Sequence, residues 1–190
     1  MPINFNLQQI KDDFGCNLYF ETGLWNVEAE DTSLCKAITM DFDKCFSVEI
    51  NPDLVSIAKL KFQEEFKEDK LEVFQGDSSN LKEYLSSIKF KETDRIVFFL
   101  DSHGHGHGCP LIEELQAIKD MNFVRKPIII LDDVRIIRDC VWSDNRYTGS
   151  NFEDILKGKL TDIDPEYKFS YLDGHIEEDC LMASVYCLNV

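Results

Sequence analysis

The sequence predicts an α/β protein built on a doubly wound, Rossmann-like, mostly parallel seven-stranded sheet that closes with a C-terminal antiparallel β-hairpin. Apolar runs alternate with amphipathic segments from end to end, the order of successive β-α units. Two runs, Ile96-Val97-Phe98-Phe99-Leu100 and Ile128-Ile129-Ile130-Leu131, are apolar throughout, as in strands buried on both faces, which occur mainly in parallel sheets. The last two apolar runs flank Asp173-Gly174, a turn dipeptide that joins neighbouring antiparallel strands.

Leu7 to Phe14 has helical character, and the first strand runs from about Asn17 to Glu21. A loop and a short helix, about Thr32 to Met40, follow. The second strand, Cys45 to Ile50, meets Asn51 and Pro52, an N-cap and a first helical residue. Leu54, Ala58 and Phe62 recur at i, i+4 and i+8, which gives that helix an apolar face. The third strand, Leu71 to Phe74, stops at Gly76-Asp77, and a helix from about Ser79 to Ile88 comes next. The fourth strand ends at Asp101. The loop Ser102 to Cys109 then leads to Pro110 and a helix with Leu111, Leu115 and Ile118 on one side. The fifth strand ends at Asp132-Asp133, ahead of a less regular stretch and a helix near Phe152 to Leu160. The final strands are Tyr167 to Leu172 and Cys180 to Leu188. Right-handed crossovers fix the winding of the parallel part.

A chain of 190 residues, 44% hydrophobic, suits one domain spanning 1–190 with a substantial core. The formal charge of −16 works against nucleic acid and anionic membrane surfaces, because affinity for phosphate backbones comes largely from Lys and Arg. Seven cysteines without a C-x-x-C pair indicate neither a structural zinc site nor a disulfide scaffold. Reduced thiols then place the chain in the cytoplasm, or in the host cytoplasm if it is viral. The start, Met1-Pro2-Ile3-Asn4-Phe5-Asn6, lacks the basic and apolar parts of a signal peptide. No apolar run reaches the roughly 18 residues of a membrane-spanning helix.

Open α/β sheets bind ligands outside the carboxyl ends of their strands, and the chemistry-bearing residues stand at those ends. Phe20-Glu21-Thr22-Gly23, Ser47-Val48-Glu49-Ile50, Gly76-Asp77-Ser78-Ser79 and Leu100-Asp101-Ser102-His103 follow strands one to four. In this order they resemble the cofactor residues of class I S-adenosylmethionine-dependent methyltransferases over nearly the whole chain. Cys109-Pro110-Leu111-Ile112-Glu113-Glu114-Leu115, Ile129-Ile130-Leu131-Asp132-Asp133-Val134-Arg135 and Asp164-Pro165-Glu166-Tyr167 are similar to a bacterial and viral group of small, glycan-associated methyltransferases.

The resemblance implies the class I methyltransferase fold, S-adenosylmethionine as cofactor, and Glu21, Thr22, Gly23, Glu49, Asp77, Ser78 and Asp101 as cofactor-binding residues. Glu49 can accept hydrogen bonds from both ribose hydroxyls. Asp77 falls near the adenine edge or caps the helix after it. Gly23 lets backbone approach the methionine part closely, and Glu21 sits beside its amino group or orients the loop. The chain departs from these relatives at Leu24-Trp25-Asn26-Val27-Glu28-Ala29-Glu30, where they place a second glycine. Either the loop takes another path and restarts its helix at Asp31 or Thr32, or the site is degenerate.

Asp101, Asp132 and Asp133 resemble the ligand set of magnesium-dependent O-methyltransferases, of both the catechol and the sugar-modifying type. Oxygen ligands suit Mg2+ or Mn2+, which would lower the pKa of a bound hydroxyl and align it with the methyl group. His103 is the expected general base beside Asp101, with an unperturbed pKa near ~6.5. His103, His105 and His107 alternate with glycines, which reads as an active-site loop ahead of a zinc site. Arg135, Arg138, Trp142, Arg146 and Tyr147 suit a sugar ring with acidic substituents.

The expected function is metal-assisted O-methylation of a sugar hydroxyl, on a nucleotide sugar or a glycan, with self-association into a homo-oligomer left open. The alternative is a degenerate methyltransferase fold serving as a non-catalytic ligand- or protein-binding module. A nicotinamide oxidoreductase lacks its G-x-G-x-x-G after the first strand. A metal-dependent hydrolase fits the acids and would act without added cofactor.

Overall fold

The computed structural model describes residues 3–102, 109–139 and 152–185. Helix α1 (Leu7–Phe14) begins at Asn6, whose side chain accepts the Gln9 N–H, and stops at Gly15 in the left-handed region, the usual pairing of a polar N-cap with a C-terminal glycine. The order continues with β1 (Leu18–Thr22), α2 (Ser33–Thr39), β2 (Lys44–Glu49), α3 (Pro52–Lys61), α4 (Gln63–Lys67) and β3 (Leu71–Gln75). A 3-10 turn (Ser78–Asn80) leads into α5 (Leu81–Ser87). Then come β4 (Ile96–Leu100), α6 (Leu111–Met121), β5 (Ile128–Leu131), α7 (Val134–Asp139), α8 (Phe152–Ile163), β6 (Lys168–Leu172) and β7 (Cys180–Ser184).

The seven strands form one sheet in the order β3-β2-β1-β4-β5-β7-β6. β1 pairs in parallel with β2 and β4, and the parallel part extends to β3 and β5. β7 runs antiparallel to both β5 and β6. The chain therefore winds outward from β1 in one direction, returns to β4 and winds the other way. That reversal makes the β1–β4 boundary the switch point where open sheets take ligands.

Alternation along the strands divides the core between the two faces. Phe20, Phe46, Phe98, Leu100, Ile129 and Leu131 pack with Leu81 and Leu85 of α5, Leu111 and Leu115 of α6, and Leu156 and Leu160 of α8. Tyr19, Cys45, Val97, Phe99, Ile128 and Ile130 pack with Leu7 and Ile10 of α1, Leu34 of α2 and Ala58 of α3. Because helices cover both faces, β1, β4 and β5 are buried along their whole length.

Two local details differ from the sequence reading. In α3 the deepest residues are Val55 and Ala58, while Leu54 is half-buried. β7 ends at Ser184, short of Leu188, and residues 186–190 lie outside the described residues. Among the described residues, no helix is long and apolar enough to cross a membrane.

Candidate active site at the strand tips

Register sets the site. Thr22 lies opposite Val48 on one side and Leu100 on the other, and Leu100 lies opposite Leu131. The next residues, Gly23, Glu49, Asp101 and Asp132, therefore share one level at the carboxyl edge. Backbone bonds continue across it, from Gly23 N to Val48 O (2.9 Å), Asp101 N to Thr22 O (3.0 Å) and Asp132 N to Leu100 O (3.1 Å). Gly23 has φ +86, and a Cβ there would lie 2.4 Å from the Asp101 carbonyl oxygen. Only glycine meets both demands.

The loop after Gly23 takes its own path. Leu24 and Val27 are wholly buried and join the core, whereas Trp25 turns outward at φ 55 with 46% exposure. The following helix restarts with Thr32 at the N-cap position, in line with the first of the two paths the sequence allowed. Glu21 is fully buried and accepts hydrogen bonds from Tyr19 Oη (3.1 Å), Ser33 Oγ (2.7 Å) and Ser47 Oγ (3.1 Å). It ties β1, β2 and α2 together. Burial pushes its pKa up to about 7 against the pull of these hydroxyl donors. Thr22 Oγ1 is buried and has no hydrogen-bond partner among the described residues, an orphan polar atom beside Gly23.

Glu49 is 6% exposed, so it is not a solvated strand-end acid. Its Oε1 accepts the Asn51 N–H at 2.7 Å, and Ile50 beyond it is exposed. Asp77 is exposed and caps the 3-10 turn by accepting the Ser79 N–H at 2.9 Å. Ser78 is buried and donates to Ser102 Oγ (2.8 Å), which donates to Glu114 Oε1 (2.5 Å). This chain links the third and fourth strand tips to α6.

The acid cluster differs from the expected set. Asp132 and Asp133 come together with Asp179, one carboxylate oxygen from each lying within 4.8 Å of the others, and Asp101 is outside that group. Asp133 adopts φ 56, and Val134 after it donates its N–H to the Asp179 carbonyl at 2.8 Å. Arg135 bridges two of the acids, with Nη2 2.6 Å from Asp133 Oδ1 and Nη1 on Asp179 Oδ2. Asp132 is fully buried. Its Oδ1 accepts from Cys180 Sγ at 3.0 Å, and its Oδ2 has no hydrogen-bond partner among the described residues. Burial first, and the neighbouring Asp132 next, push the Cys180 thiol up. An all-oxygen donor set with an orphaned buried carboxylate oxygen fits a hard divalent cation.

Two of the residues read toward the acceptor, Arg135 and Arg138, have acidic partners. Arg138 donates to Glu153 at 2.7 Å and lies over the Tyr171 ring. Burial alone would raise Glu153, yet hydrogen bonds from Lys157, Tyr171 and Arg138 hold it down at about 2. His103, His105, His107, Trp142, Arg146 and Tyr147 lie outside the described residues.

Asp179 is the site residue that sequence reasoning missed, although a signal existed. It immediately precedes the apolar run of β7, and an antiparallel strand brings its amino end to the mouth where parallel neighbours bring their carboxyl ends.

No protein-family model and no curated protein matches the chain. Among solved structures it is similar to the O-methyltransferase from Bacillus cereus in complex with SAH, at 17% identity and TM-score 0.61 over 94% of this chain and 78% of that one. It is also similar to the O-methyltransferase TomG from Streptomyces achromogenes, involved in tomaymycin synthesis and in complex with SAM, at 10% identity and TM-score 0.60 over 95% and 78%. The SAH-bound methyltransferase PaMTH1 of Podospora anserina matches at 13% identity and TM-score 0.56 over 94% and 75%. These likenesses establish the class I methyltransferase fold for this chain.

Proposed function

We propose that this chain, having the class I methyltransferase fold, is an S-adenosylmethionine-dependent O-methyltransferase. We further propose that it is assisted by Mg2+ or Mn2+ and acts in the cytoplasm on a sugar hydroxyl, free as a nucleotide sugar or within a glycan. The observation that carries the reading is the shared level of Gly23, Glu49, Asp101 and Asp132 at the switch point of the sheet. The cofactor-bound neighbours on the same fold support the methyl-transfer part.

When bound, S-adenosylmethionine supplies an electrophilic methyl group and a divalent cation supplies a Lewis acid for the acceptor oxygen. Glu49 accepts hydrogen bonds from the ribose hydroxyls, and its Asn51 contact keeps the carboxylate aimed. Gly23 leaves room for close backbone approach, and Thr22 Oγ1 offers an unused donor beside it. Glu21 sits beside the methionine amino group or orients the first loop through Ser33. Asp132 and Asp133 hold the cation, with Asp101 on the cofactor side, and His103 takes the acceptor proton.

Calorimetry with S-adenosylhomocysteine tests the reading. Saturable binding is expected, weakened at least ~10-fold by Glu49→Ala, about 1.4 kcal/mol. Folded protein without binding would favour the second reading, a non-catalytic binding module. The burial of Leu24 and Val27 in a loop that relatives keep small is what favours it.

A further inference from the structure

We propose that Arg135 is an internal counter-cation that competes with a divalent metal ion for Asp133 and Asp179, so that metal enters only as the guanidinium leaves. The inference rests on the metal-assisted reading above and adds Asp179 to the ligands.

Three carboxylates are buried together, Asp132 and Asp179 almost completely and Asp133 nearly so. Arg135 spans Asp133 and Asp179 with its two terminal nitrogens and touches no oxygen of Asp132 among the described residues. Arg135 thus engages two of the three carboxylates, and a buried carboxylate is costly unless it is paired or binds a metal. Asp132 Oδ2, without a hydrogen-bond partner among the described residues, is the acceptor that a metal ion would engage. Metal–oxygen bonds of about 2.0–2.1 Å for Mg2+ require the carboxylates to converge on one point. The Asp133 and Asp179 oxygens that hold guanidinium nitrogens give those contacts up to do so.

The geometry also names what moves. The hairpin side is closed, since a Cβ on Gly174 would stand 2.8 Å from Cys180 Sγ, 3.1 Å from Asp132 Oδ1 and 3.1 Å from Asp179 Cβ. Asn4 pins that wall by donating its side-chain N–H to the Gly174 carbonyl at 2.8 Å. The Arg135 side chain is 33% exposed against 6% for Asp133 and 0% for Asp179. It lies in the first turn of the short helix α7, so rotation of its side chain toward water opens the cluster without moving the sheet.

Mn2+ binding to the full chain, read from the free-ion EPR signal without any cofactor, tests this. Arg135→Met is expected to bind Mn2+ at least ~10-fold tighter than wild type, and Asp132→Asn added to it should abolish that gain. Equal or weaker binding by folded Arg135→Met overturns the proposal, as does absence of binding in both proteins. If Arg135→Met does not fold, Mg2+ titration of wild type labelled with 15N-arginine decides. The Arg135 side-chain signal should move to its solvent-exposed position in step with metal occupancy, and a signal unmoved at saturation overturns the idea. S-adenosylhomocysteine calorimetry stays separate. Its failure beside a positive Mn2+ result sinks the methyltransferase reading alone, and the reverse pattern sinks only the competition.

Discussion

At the scale of single residues, the site is defined by polar groups held where water cannot reach them. Glu21 is the clearest case, since its carboxylate is enclosed by three hydroxyl groups from two strands and a helix. Hydroxyl donors stabilise the anion, but burial outweighs them and leaves the pKa at about 7 rather than 4.5. A carboxyl whose folded pKa is raised binds more protons in the native state than in the unfolded state across that window. Its contribution to stability is therefore fully present below about pH 4.5 and is lost as pH rises through about 7. Glu21→Gln should flatten this dependence. Urea unfolding at pH 5 and pH 8 should show wild type losing on the order of 3 kcal/mol more than the variant between the two. Equal slopes with pH would remove Glu21 as the cause.

At the scale of elements, capping and burial explain why the helices start and stop where they do. Asn51 accepts the Asp53 N–H at 2.9 Å, directly ahead of Pro52 at the start of α3. The same residue donates its backbone N–H to Glu49, so helix cap and candidate ribose ligand share one residue. Asn51→Ala removes only the side-chain cap and should cost about 1 kcal/mol in denaturant unfolding, while S-adenosylhomocysteine binding falls less than for Glu49→Ala. A loss of binding as large as that of Glu49→Ala would mean that the cap itself orders the carboxylate. The limits of α1, β4 and β5 were legible because apolar runs and caps are local properties of the chain. The choice of Val55 over Leu54 in α3 was not, since several rotations of a weakly amphipathic helix present an apolar face and only the packed sheet selects one.

At the scale of the whole molecule, the site exists because strands far apart in sequence end at one level. Gly23 shows the tightness of that convergence, with its missing Cβ space filled by the Asp101 carbonyl. Gly23→Ala forces both a left-handed alanine and a backbone clash. It is expected to lower stability by about 2 kcal/mol or more and to weaken S-adenosylhomocysteine binding beyond the Glu49→Ala effect. A thermal melt and calorimetry on one preparation check both, and unchanged values would show that the tips yield more easily than the geometry implies.

Alternating apolar and amphipathic segments, with acids at the ends of the buried runs, were enough by themselves to determine the α/β class, the doubly wound sheet with its C-terminal hairpin and the strand ends where Glu49, Asp101, Asp132 and Asp133 stand. Periodicity and strand-end position are written into neighbouring residues, so they survive without knowledge of the fold. Only the tertiary structure decided that Asp179 joins Asp132 and Asp133, that Arg135 pairs with Asp133 and Asp179, and that Leu24 and Val27 leave the first loop for the core. Those outcomes depend on an antiparallel strand, a left-handed turn at Asp133 and the space between packed layers, none of which any short stretch of sequence contains.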